Sequence, residues 1–332
     1  MRFVKFFYSD LLLLPFQSFF FVSLPLEKIT RYPLKMNKIV PIIHSMRLRT
    51  LPLSLSGVIL GLLLAVPQVQ CSYGVVPFLL LTTVCLQILS NLSNELGDFL
   101  SGTDGDRREG PMYSLAEGRI SVSLFRRLIG VFVALCCVFG LTMVWLSFGN
   151  VWSLKPLALL ALGAAAIWAA MHYTLGKNPY GYRGLGDVFV FIFFGLTSVL
   201  GSYFVMAHSF NSWTLLLPAT TIGCFSVGVL NVNNIRDIES DRTNRVTVPI
   251  KIGVRKAKIY QTTLVVLGWG SMLAFSTIHF TSILNFLYLI TLPLYILHLV
   301  MVWKRSGKNL DPALPLLVLS TFVFAVIAGL CF

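Results

Sequence analysis

The sequence predicts an all-α integral membrane protein with nine transmembrane helices. Its mean hydropathy is +0.80. Of its 332 residues 56% are hydrophobic and 12% are charged, whereas soluble domains contain roughly 25% charged residues. At about 20 residues per span, a chain of this length accommodates about nine or ten helices with short connections. Nine apolar windows are present, at 50–67, 77–94, 124–148, 155–174, 186–206, 213–232, 261–280, 284–303 and 313–331.

Prolines support the starts of several of these windows. They lie in or close to the predicted first turns: Pro52, Pro77, Pro156, Pro218 and Pro315. A first-turn N–H has no partner within its helix, so its loss to proline costs little. One nine-helix domain is therefore predicted to fill residues 36–332, without a soluble domain or a long linker.

Residues 1–35 are predicted to form an N-terminal extension outside this domain. The segment begins with basic residues and contains an apolar stretch, interrupted by Asp10, Pro15 and Pro25. It resembles a signal sequence or an extra membrane anchor, but no small-residue cleavage site follows it. We favour the alternative that translation starts at Met36.

The basic residues predict the orientation in the membrane. Beyond Met36, every Lys and Arg except Lys155 lies in residues 36–50 or in or next to the connections after the second, fourth, sixth and eighth windows. By the positive-inside rule, the Met36 end is then cytoplasmic and Phe332 lies outside the plasma (inner) membrane. The net charge of +13 fits this orientation and contact with anionic lipid. No nucleic-acid partner is predicted.

Two polar clusters interrupt the apolar pattern at the predicted cytoplasmic boundary. They read NLSNELGD at 91–98 and NNIRDIESD at 233–241. If the second helix continues past residue 94, each cluster places amide and carboxylate groups on one helical face. These groups are Asn91, Asn94 and Asp98 on the second helix, and Asn233, Asp237 and Asp241 on the sixth.

The composition of these faces predicts a magnesium site. Carboxylates that face one another near lipid repel unless a cation neutralises them. Oxygen ligands without His or Cys suit Mg²⁺, which usually bridges to substrate phosphates. Arginines lie beside the acids: Arg107, Arg108, Arg236, Arg242 and Arg245. Positive charge next to an acidic metal site predicts a polyanion that arrives with the metal, and a diphosphate fits.

Two other interpretations remain open at this stage. Carboxylates inside membrane helices often mark transporters for ions or protons. That interpretation is disfavoured because the polar groups collect at one membrane face and no internal repeat is visible. In a purely structural interpretation, the carboxylates only pair with the neighbouring arginines.

The same residues resemble motifs of the UbiA-type intramembrane prenyltransferases. The segment from Asn94 to Asp98 is similar to the first Asp-rich motif, NDxxD, and the segment from Asn233 to Asp241 is similar to the second. The stretches that are similar to the branch acting on 1,4-dihydroxy-2-naphthoate are 47–61, 97–111, 178–195 and 233–242. A lone NxxxD would be a weak signal, but this ordered set, which extends from Met36 to the end, is specific.

The resemblance implies a nine-helix UbiA-type bundle with the polar site at its cytoplasmic face. It implies an Mg²⁺-dependent enzyme that binds polyprenyl diphosphate and 1,4-dihydroxy-2-naphthoate at the lipid bilayer. Transfer of the polyprenyl chain would release CO₂ and diphosphate and give a demethylmenaquinone, in menaquinone biosynthesis. The alternative acceptors within the family are 4-hydroxybenzoate and other quinone or tetrapyrrole precursors. No obligate protein partner is implied.

The resemblance also suggests roles for individual residues. The metal ligands would be Asn94, Asp98, Asp237 and Asp241. Asn233, Asp104 and Asn91 are second choices, as ligands or orienting groups. The substrate-binding residues would be Arg107, Arg236, Tyr173, Lys177, Asn91 and Arg245. Asp98 and Asp237 would be catalytic through the metal, and Asp187 would orient the acceptor or act as a base. A helix cap paired with Arg183 is the simpler alternative for Asp187.

Some positions depart from the family pattern. Glu95 replaces the usual Asp of NDxxD, and its longer arm argues against a role as a direct ligand. The spacing after Asp241 is about one residue short, so Arg245 is only a provisional substitute for the family lysine. Arg47 and Arg49 are interpreted as anchors to lipid headgroups, with attraction of the acceptor carboxylate as the alternative.

Overall fold

The computed structural model describes residues 39–68, 74–102, 114–242 and 245–332. Within these ranges nine helices are long and apolar enough to cross a membrane. We number them α1 Ile39–Ala65, α2 Val75–Leu100, α3 Val122–Phe148, α4 Leu154–His172, α5 Gly186–Ala207, α6 Trp213–Arg236, α7 Val254–Ile278, α8 Ile283–Lys304 and α9 Gly307–Leu330. The predicted helical class and number of spans are confirmed, whereas the extension 1–35 lies outside the described residues.

Helix α1 begins before the predicted start at residue 50 and is broken near that point. It consists of Ile39–Ser45, a 3₁₀ turn at Leu48–Thr50 and a longer helix at Leu51–Ala65. At the break, Arg47 has a φ of 49°, in the left-handed region that residues other than glycine rarely adopt. The hydropathy window missed the first part of α1 because Lys38, His44 and the arginines reduce its mean.

Helices α2 and α6 carry the two polar clusters. Helix α2 continues without interruption through its cluster to Leu100. Helix α6 ends at Arg236, and Asp237 (φ −92°, ψ 11°) leads into the short helix Ile238–Asp241. The Asp241 N–H still donates to the Asp237 carbonyl oxygen at 2.9 Å. The helical direction of the cluster is therefore kept across the break.

Close helix packing places α1, α5 and α6 around a common centre. Helix α1 packs against α5 and α9, α2 against α3, and α6 against α7. A Cβ atom at Gly61 would overlap Val199 and Ser202 of α5, and one at Gly195 of α5 would overlap Gly223 of α6. Small residues at these crossings let the backbones approach closely, as is common between membrane helices.

Helix α5 contains a π-helical segment at Phe191–Thr197, between the α-helical segments Gly186–Val190 and Ser198–Ala207. Such π turns insert an extra residue into a helix and are frequent at functional sites. Several residues of this segment and its flanks, Phe193, Phe194, Thr197 and Ser198 among them, line one internal cavity.

An aromatic core lies between α6, α7, α8 and α9. Phe225 of α6 contacts Tyr295 of α8 and Phe324 of α9, with ring centroids 4.6 and 5.4 Å apart. Trp269 of α7 packs edge-on against the same Phe324 ring at 5.4 Å. Tilted and edge-to-face arrangements of this kind are favourable for aromatic pairs. This packing fixes the position of α6 relative to α7, α8 and α9.

Candidate active site

A cavity of about 410 Å³ lies between α1, α2, α4, α5 and α6. Asp98 and Asn94 line one end of it, which we call the polar end, and Leu79 lines it toward the other. Along α2, Asp98 and Leu79 are about 28 Å apart at about 1.5 Å of rise per residue. The cavity therefore joins a polar end to a long channel with apolar side chains, of which Leu79, Met143 and Leu159 are examples.

Asn94 and Asp98 of α2 both line the polar end. The Asp98 carboxylate is 4% exposed and accepts hydrogen bonds from the Tyr182 hydroxyl at 2.7 Å and from Arg245 Nη2 at 2.9 Å. The Thr174 hydroxyl lies 3.4 Å from Asn94 Oδ1. Both residues predicted from the first motif are thus brought to the cavity.

The second cluster lines the same end from α6 and the short helix after it, with Asn233, Asp237 and Asp241. Asp237 is buried and accepts hydrogen bonds from Arg236 Nε at 2.7 Å and Nη2 at 2.6 Å. Asn233 Nδ2 lies 3.5 Å from Asp237 Oδ2. The two predicted acidic faces therefore converge on one cavity, as the sequence analysis expected.

Arg245 connects the two acidic motifs. Its Nη2 lies 2.9 Å from Asp98 and its Nε lies 3.2 Å from Asp241, so that one guanidinium forms ion pairs with both motifs. The guanidinium also lies over the Tyr182 ring, 5.1 Å from its centroid. Burial lowers the pKa of Arg245, but the charges of Asp98 and Asp241 outweigh it and the pKa is raised. The arginine stays charged, and the polar end stabilises a cation between the motifs.

The contacts of Arg236 differ from the diphosphate contact that the sequence predicted for it. Its Nη1 donates to Asp311 at 2.8 Å and its Nη2 donates to Asn233 at 2.8 Å, in addition to the bonds with Asp237. Arg236 is 4% exposed, and it is not among the described residues that line the cavity. The geometry therefore favours a role in orienting Asp237 and Asn233 over direct contact with a diphosphate.

Asn91 lines the cavity, but much of its amide is used in packing. Its Nδ2 donates to the Met46 carbonyl oxygen at 2.9 Å and to Thr50 Oγ1 at 3.0 Å. Its Oδ1 accepts from Gln87 Nε2 at 3.1 Å. Asn91 thus ties the break in α1 to α2, and the contact with substrate suggested for it stays a prediction.

Three further predicted residues occupy different environments. Tyr173 lines the polar end, and burial raises the pKa of its phenol so that it remains protonated. Lys177 is exposed on the turn after α4 and is not one of the described cavity residues. Asp187 also lies outside the described lining and accepts a hydrogen bond from the Tyr260 hydroxyl of α7 at 3.0 Å. Among the described residues, Asp187 forms no ion pair with Arg183, which was the partner in the alternative prediction of a helix cap.

Two further residues predicted to form the site, Asp104 and Arg107, lie outside the described residues.

Glu95 of α2 is fully buried and accepts hydrogen bonds from the Ser45 hydroxyl and the Leu115 N–H, both at 3.1 Å. It joins the loop after α2 to the first part of α1, and it is not among the described cavity residues. The Glu95 side chain therefore has a structural use at this position, in its hydrogen bonds to Ser45 and Leu115.

The sequence analysis overlooked several residues that shape the cavity. Gln87 and Ser226 line it deeper than the acidic ends of their helices. They continue the predicted faces, four residues before Asn91 and seven before Asn233, so helical spacing alone could have found them. Tyr182 had no such signal because it reaches Asp98 from the connection after α4. Arg47 lines the cavity, contrary to its interpretation as a headgroup anchor.

The polar end has the donor types of an Mg²⁺ site. Three carboxylates and several amides supply the oxygen ligands that this ion prefers, and a charged arginine already lies between carboxylates of both motifs. In the described part of the chain no three carboxylate, imidazole or thiol groups are close enough to hold an ion by themselves. Mg²⁺ commonly keeps several waters and completes its shell with substrate phosphates.

The chain belongs to the UbiA prenyltransferase family, which matches residues 54–329. It is a multi-pass membrane protein of this class. It is 36% identical over 271 residues to the 1,4-dihydroxy-2-naphthoate octaprenyltransferase of Escherichia coli, covering 81% of this chain and 86% of that protein. The enzyme with the same name from Mycobacterium leprae is 34% identical, over 68% of this chain and 74% of that protein.

Solved structures show the same fold. A UbiA homologue from Aeropyrum pernix in its apo form superimposes with a TM-score of 0.65 at 16% identity, covering 86% of this chain and 97% of the other. A UbiA homologue from Archaeoglobus fulgidus bound to GPP and Mg²⁺ gives a TM-score of 0.58 at 14% identity, covering 88% and 97%. The nine-helix architecture is therefore that of the family.

Proposed function

We propose that the protein transfers a polyprenyl chain from polyprenyl diphosphate to 1,4-dihydroxy-2-naphthoate in an Mg²⁺-dependent reaction. The observation that carries the proposal is the cavity, whose acidic end is built from both motifs and continues into an apolar channel. The names of the relatives from E. coli and M. leprae support the choice of acceptor. The homologue bound to GPP and Mg²⁺ supports the choice of cofactor.

The residues that would hold the metal are Asn94, Asp98, Asn233, Asp237 and Asp241. When bound, Mg²⁺ would act as a Lewis acid that stabilises negative charge on the diphosphate. Arg236 would hold the Asp237 carboxylate and the Asn233 amide in place through its hydrogen bonds. Asp104, which lies outside the described residues, stays a second-choice ligand by resemblance alone.

Arg245 is the residue we assign to the leaving diphosphate. As the allylic C–O bond breaks, its electron pair goes to the diphosphate and positive charge remains on the prenyl carbon. A guanidinium already held at the polar end by Asp98 and Asp241 would stabilise the departing oxygens without reorganising, which is an effective form of electrostatic catalysis. Arg107, Tyr173 and Lys177 stay candidate contacts for the same group.

The acceptor would then supply the electron pair. A ring carbon bonded to the carboxylate attacks the prenyl carbon, and loss of that carboxylate as CO₂ restores the aromatic ring. This sequence needs no residue to remove a proton from carbon. The reaction therefore requires no base at Asp187. Asp187 accepts a hydrogen bond from Tyr260, and its simplest role is to hold α5 against α7.

The orientation in the plasma (inner) membrane is part of the proposal. The polar end would face the cytoplasm, because the connections on that side carry most of the basic residues. Lys177, Lys304 and Arg305 are exposed there. The opposite connections carry exposed aromatic residues such as Trp152 and Trp213, which are typical of a membrane interface.

The direct test uses membranes that contain the full chain, a polyprenyl diphosphate and 1,4-dihydroxy-2-naphthoate. With Mg²⁺ we expect prenylated product, CO₂ and diphosphate in equal amounts, and a chelator should abolish all three. Asp98→Asn and Asp237→Asn should each reduce kcat by at least about 10²-fold, the scale of losing a preorganised electrostatic contact. Glu239→Gln, at an exposed residue on the short helix after α6, is the matched control.

The outcomes separate the alternatives. Product that forms equally well in the presence of chelator, or with both aspartate variants, would exclude the metal site. Turnover of 4-hydroxybenzoate but not of dihydroxynaphthoate would assign the chain to a different acceptor within the family.

A further inference from the structure

Two residues that line the cavity each carry a buried polar atom without a hydrogen-bond partner among the described residues. The atoms are Gln87 Oε1 on α2 and Ser226 Oγ on α6. The two residues are 7% and 1% exposed, and both line the cavity. Buried polar atoms in folded proteins are nearly always paired. Two such atoms in residues that line one cavity leave hydrogen-bonding capacity that a polar ligand or a water can use.

The two atoms also lie at a matching depth. Gln87 precedes Asp98 on α2 by the same number of residues as Ser226 precedes Asp237 on α6. This spacing is about three helical turns, or about 16 Å between Cα positions along each axis. Gln87 and Ser226 therefore belong to one level of the cavity, below the acidic residues.

The direction of the Gln87 amide is set by its neighbours. The Met46 carbonyl oxygen can only accept, so Asn91 must donate to it through Nδ2. Asn91 then presents Oδ1 to Gln87, and Gln87 must donate through Nε2. Gln87 Oε1 is thus left as an acceptor without a described partner, and such an atom binds an O–H or N–H group.

The walls of the cavity differ at this level. The side formed by α1, α2 and α6 carries hydroxyl and amide groups, among them Ser54, Ser90 and Ser226. The side formed by α4 is apolar, with Leu159 and Leu162, and Phe193 of α5 extends it. A prenyl chain is a hydrocarbon and carries no hydrogen-bond donor. It fits the apolar side, and it leaves Gln87 Oε1 unpaired.

We infer that Gln87 and Ser226 form the subsite that recognises the hydroxyl groups of the aromatic acceptor. Gln87 Oε1 accepts a hydrogen bond from a ring hydroxyl, and Ser226 Oγ is the second polar contact. This inference rests on the proposed function and adds to it the residues that select the acceptor. A site built to bind a hydroxyl discriminates against analogues that lack it, because its own polar atoms are then left unpaired.

Steady-state kinetics of Gln87→Leu and Ser226→Ala test the subsite. We expect each change to raise KM for the acceptor roughly three- to tenfold, the effect of losing one neutral hydrogen bond, and to leave KM for polyprenyl diphosphate unchanged. Ser93→Ala is the matched control. Its hydroxyl is also buried on α2 without a described partner, but Ser93 does not belong to the described cavity lining, so both KM values should stay at the wild-type level.

A second measurement does not depend on how well the variants fold. The ratio of kcat/KM for the dihydroxy acceptor to that for the same acid lacking one ring hydroxyl is compared between wild type and Gln87→Leu. Loss of a ring hydroxyl also weakens the ring carbon as a nucleophile, but this effect is common to both enzymes. We therefore expect the ratio to be about three- to tenfold smaller in Gln87→Leu than in the wild type for the hydroxyl that Gln87 binds.

The possible failures are distinguishable. An unchanged acceptor KM and an unchanged ratio in both variants would overturn the subsite while leaving the proposed function intact. A rise in the donor KM instead would assign these residues to the prenyl channel and also overturn the subsite. Absence of dihydroxynaphthoate turnover by the wild type with Mg²⁺ would overturn both proposals.

Discussion

Arg245 shows how a single residue can hold a charged site together. Asp98 and Asp241 belong to different motifs and would repel if they faced each other inside a low-dielectric bundle. The Arg245 guanidinium lies within ion-pair distance of both carboxylates and is largely buried. The same charge is available to a diphosphate that enters the cavity. Arg245 therefore links the stability of the site to its proposed chemistry.

Replacement of Arg245 by Ala should lower kcat by about 10²- to 10³-fold, as expected for the loss of one preorganised charge contact. Arg245→Lys should restore only part of the activity, because Lys is a point charge that cannot reproduce the planar contacts of a guanidinium. Both variants are compared by initial rates at saturating substrates. Arg242→Ala removes an exposed arginine that pairs with Glu239, and it should leave the rate unchanged. Equal rates for all three variants would contradict the role assigned to Arg245.

Arg236 is expected to act through stability rather than through direct contact with substrate. Removal of its guanidinium would leave the Asp237 carboxylate buried without its main partner, and such losses cost about 3–5 kcal/mol. We therefore expect Arg236→Ala to lower the thermal unfolding temperature in detergent. Arg119→Ala, which breaks a surface pair with Glu117, should change unfolding by less than about 1 kcal/mol. A stable Arg236→Ala variant with only an elevated donor KM would instead support the original assignment to the diphosphate.

At the scale of helices, close crossings decide which side chains reach the cavity. Gly61 brings α1 against α5, and Gly195 brings α5 against α6. The π-helical segment of α5 then turns Phe193 and Phe194 toward the same space. Together these features place the acidic residues of α2 and α6 beside the apolar side chains of α4 and of the π-helical segment.

Gly61→Ala should destabilise the bundle, because the added Cβ would overlap the Val199 carbonyl and the Ser202 hydroxyl of α5. Overpacking of this kind typically costs about 1–3 kcal/mol. Thermal unfolding in detergent measures the effect. Gly130→Ala on α3 is the control, since a Cβ there meets nothing within 4 Å. Equal stability of both variants would contradict a tight crossing of α1 and α5.

At the scale of the whole molecule, charge asymmetry and the position of the site are linked. The acidic motifs lie at the end of the bundle from which the basic connections emerge, so a diphosphate would approach through a region of positive potential. The other end is marked by exposed tryptophans, with Trp152 83% exposed. The proposed orientation follows from this asymmetry.

Cysteine labelling in intact cells tests this orientation. Cys331 is a free, partly exposed cysteine at the end that is expected to lie outside, so it is replaced together with Cys71. In a chain with Cys71→Ser and Cys331→Ser, a cysteine placed by Trp152→Cys should react with a membrane-impermeant thiol reagent. A cysteine placed by Lys177→Cys should react only after the membrane is permeabilised, because the connection after α4 is expected to be cytoplasmic. Both positions are exposed, so accessibility within the fold does not distinguish them. The reverse labelling pattern would contradict the proposed topology.

The sequence by itself determined the helical class, the number of spans and the two acidic faces. Each of these depends on local periodicity and composition: apolar runs long enough to cross a bilayer, and amide and carboxylate groups repeated at helical spacing along α2 and α6. It also indicated that Glu95 is not a direct ligand, because the length of a side chain can be read from its identity.

Only the tertiary structure decided how these faces are used. It directed Arg236 toward Asp311 and Asp187 toward Tyr260, and it brought Arg245 between Asp98 and Asp241. Such pairings join residues that are far apart in the chain, so they depend on helix crossings that no local pattern encodes. The same holds for Gln87 and Ser226. Their spacing places them on the right faces, but only the packing of five helices turns those faces toward one cavity.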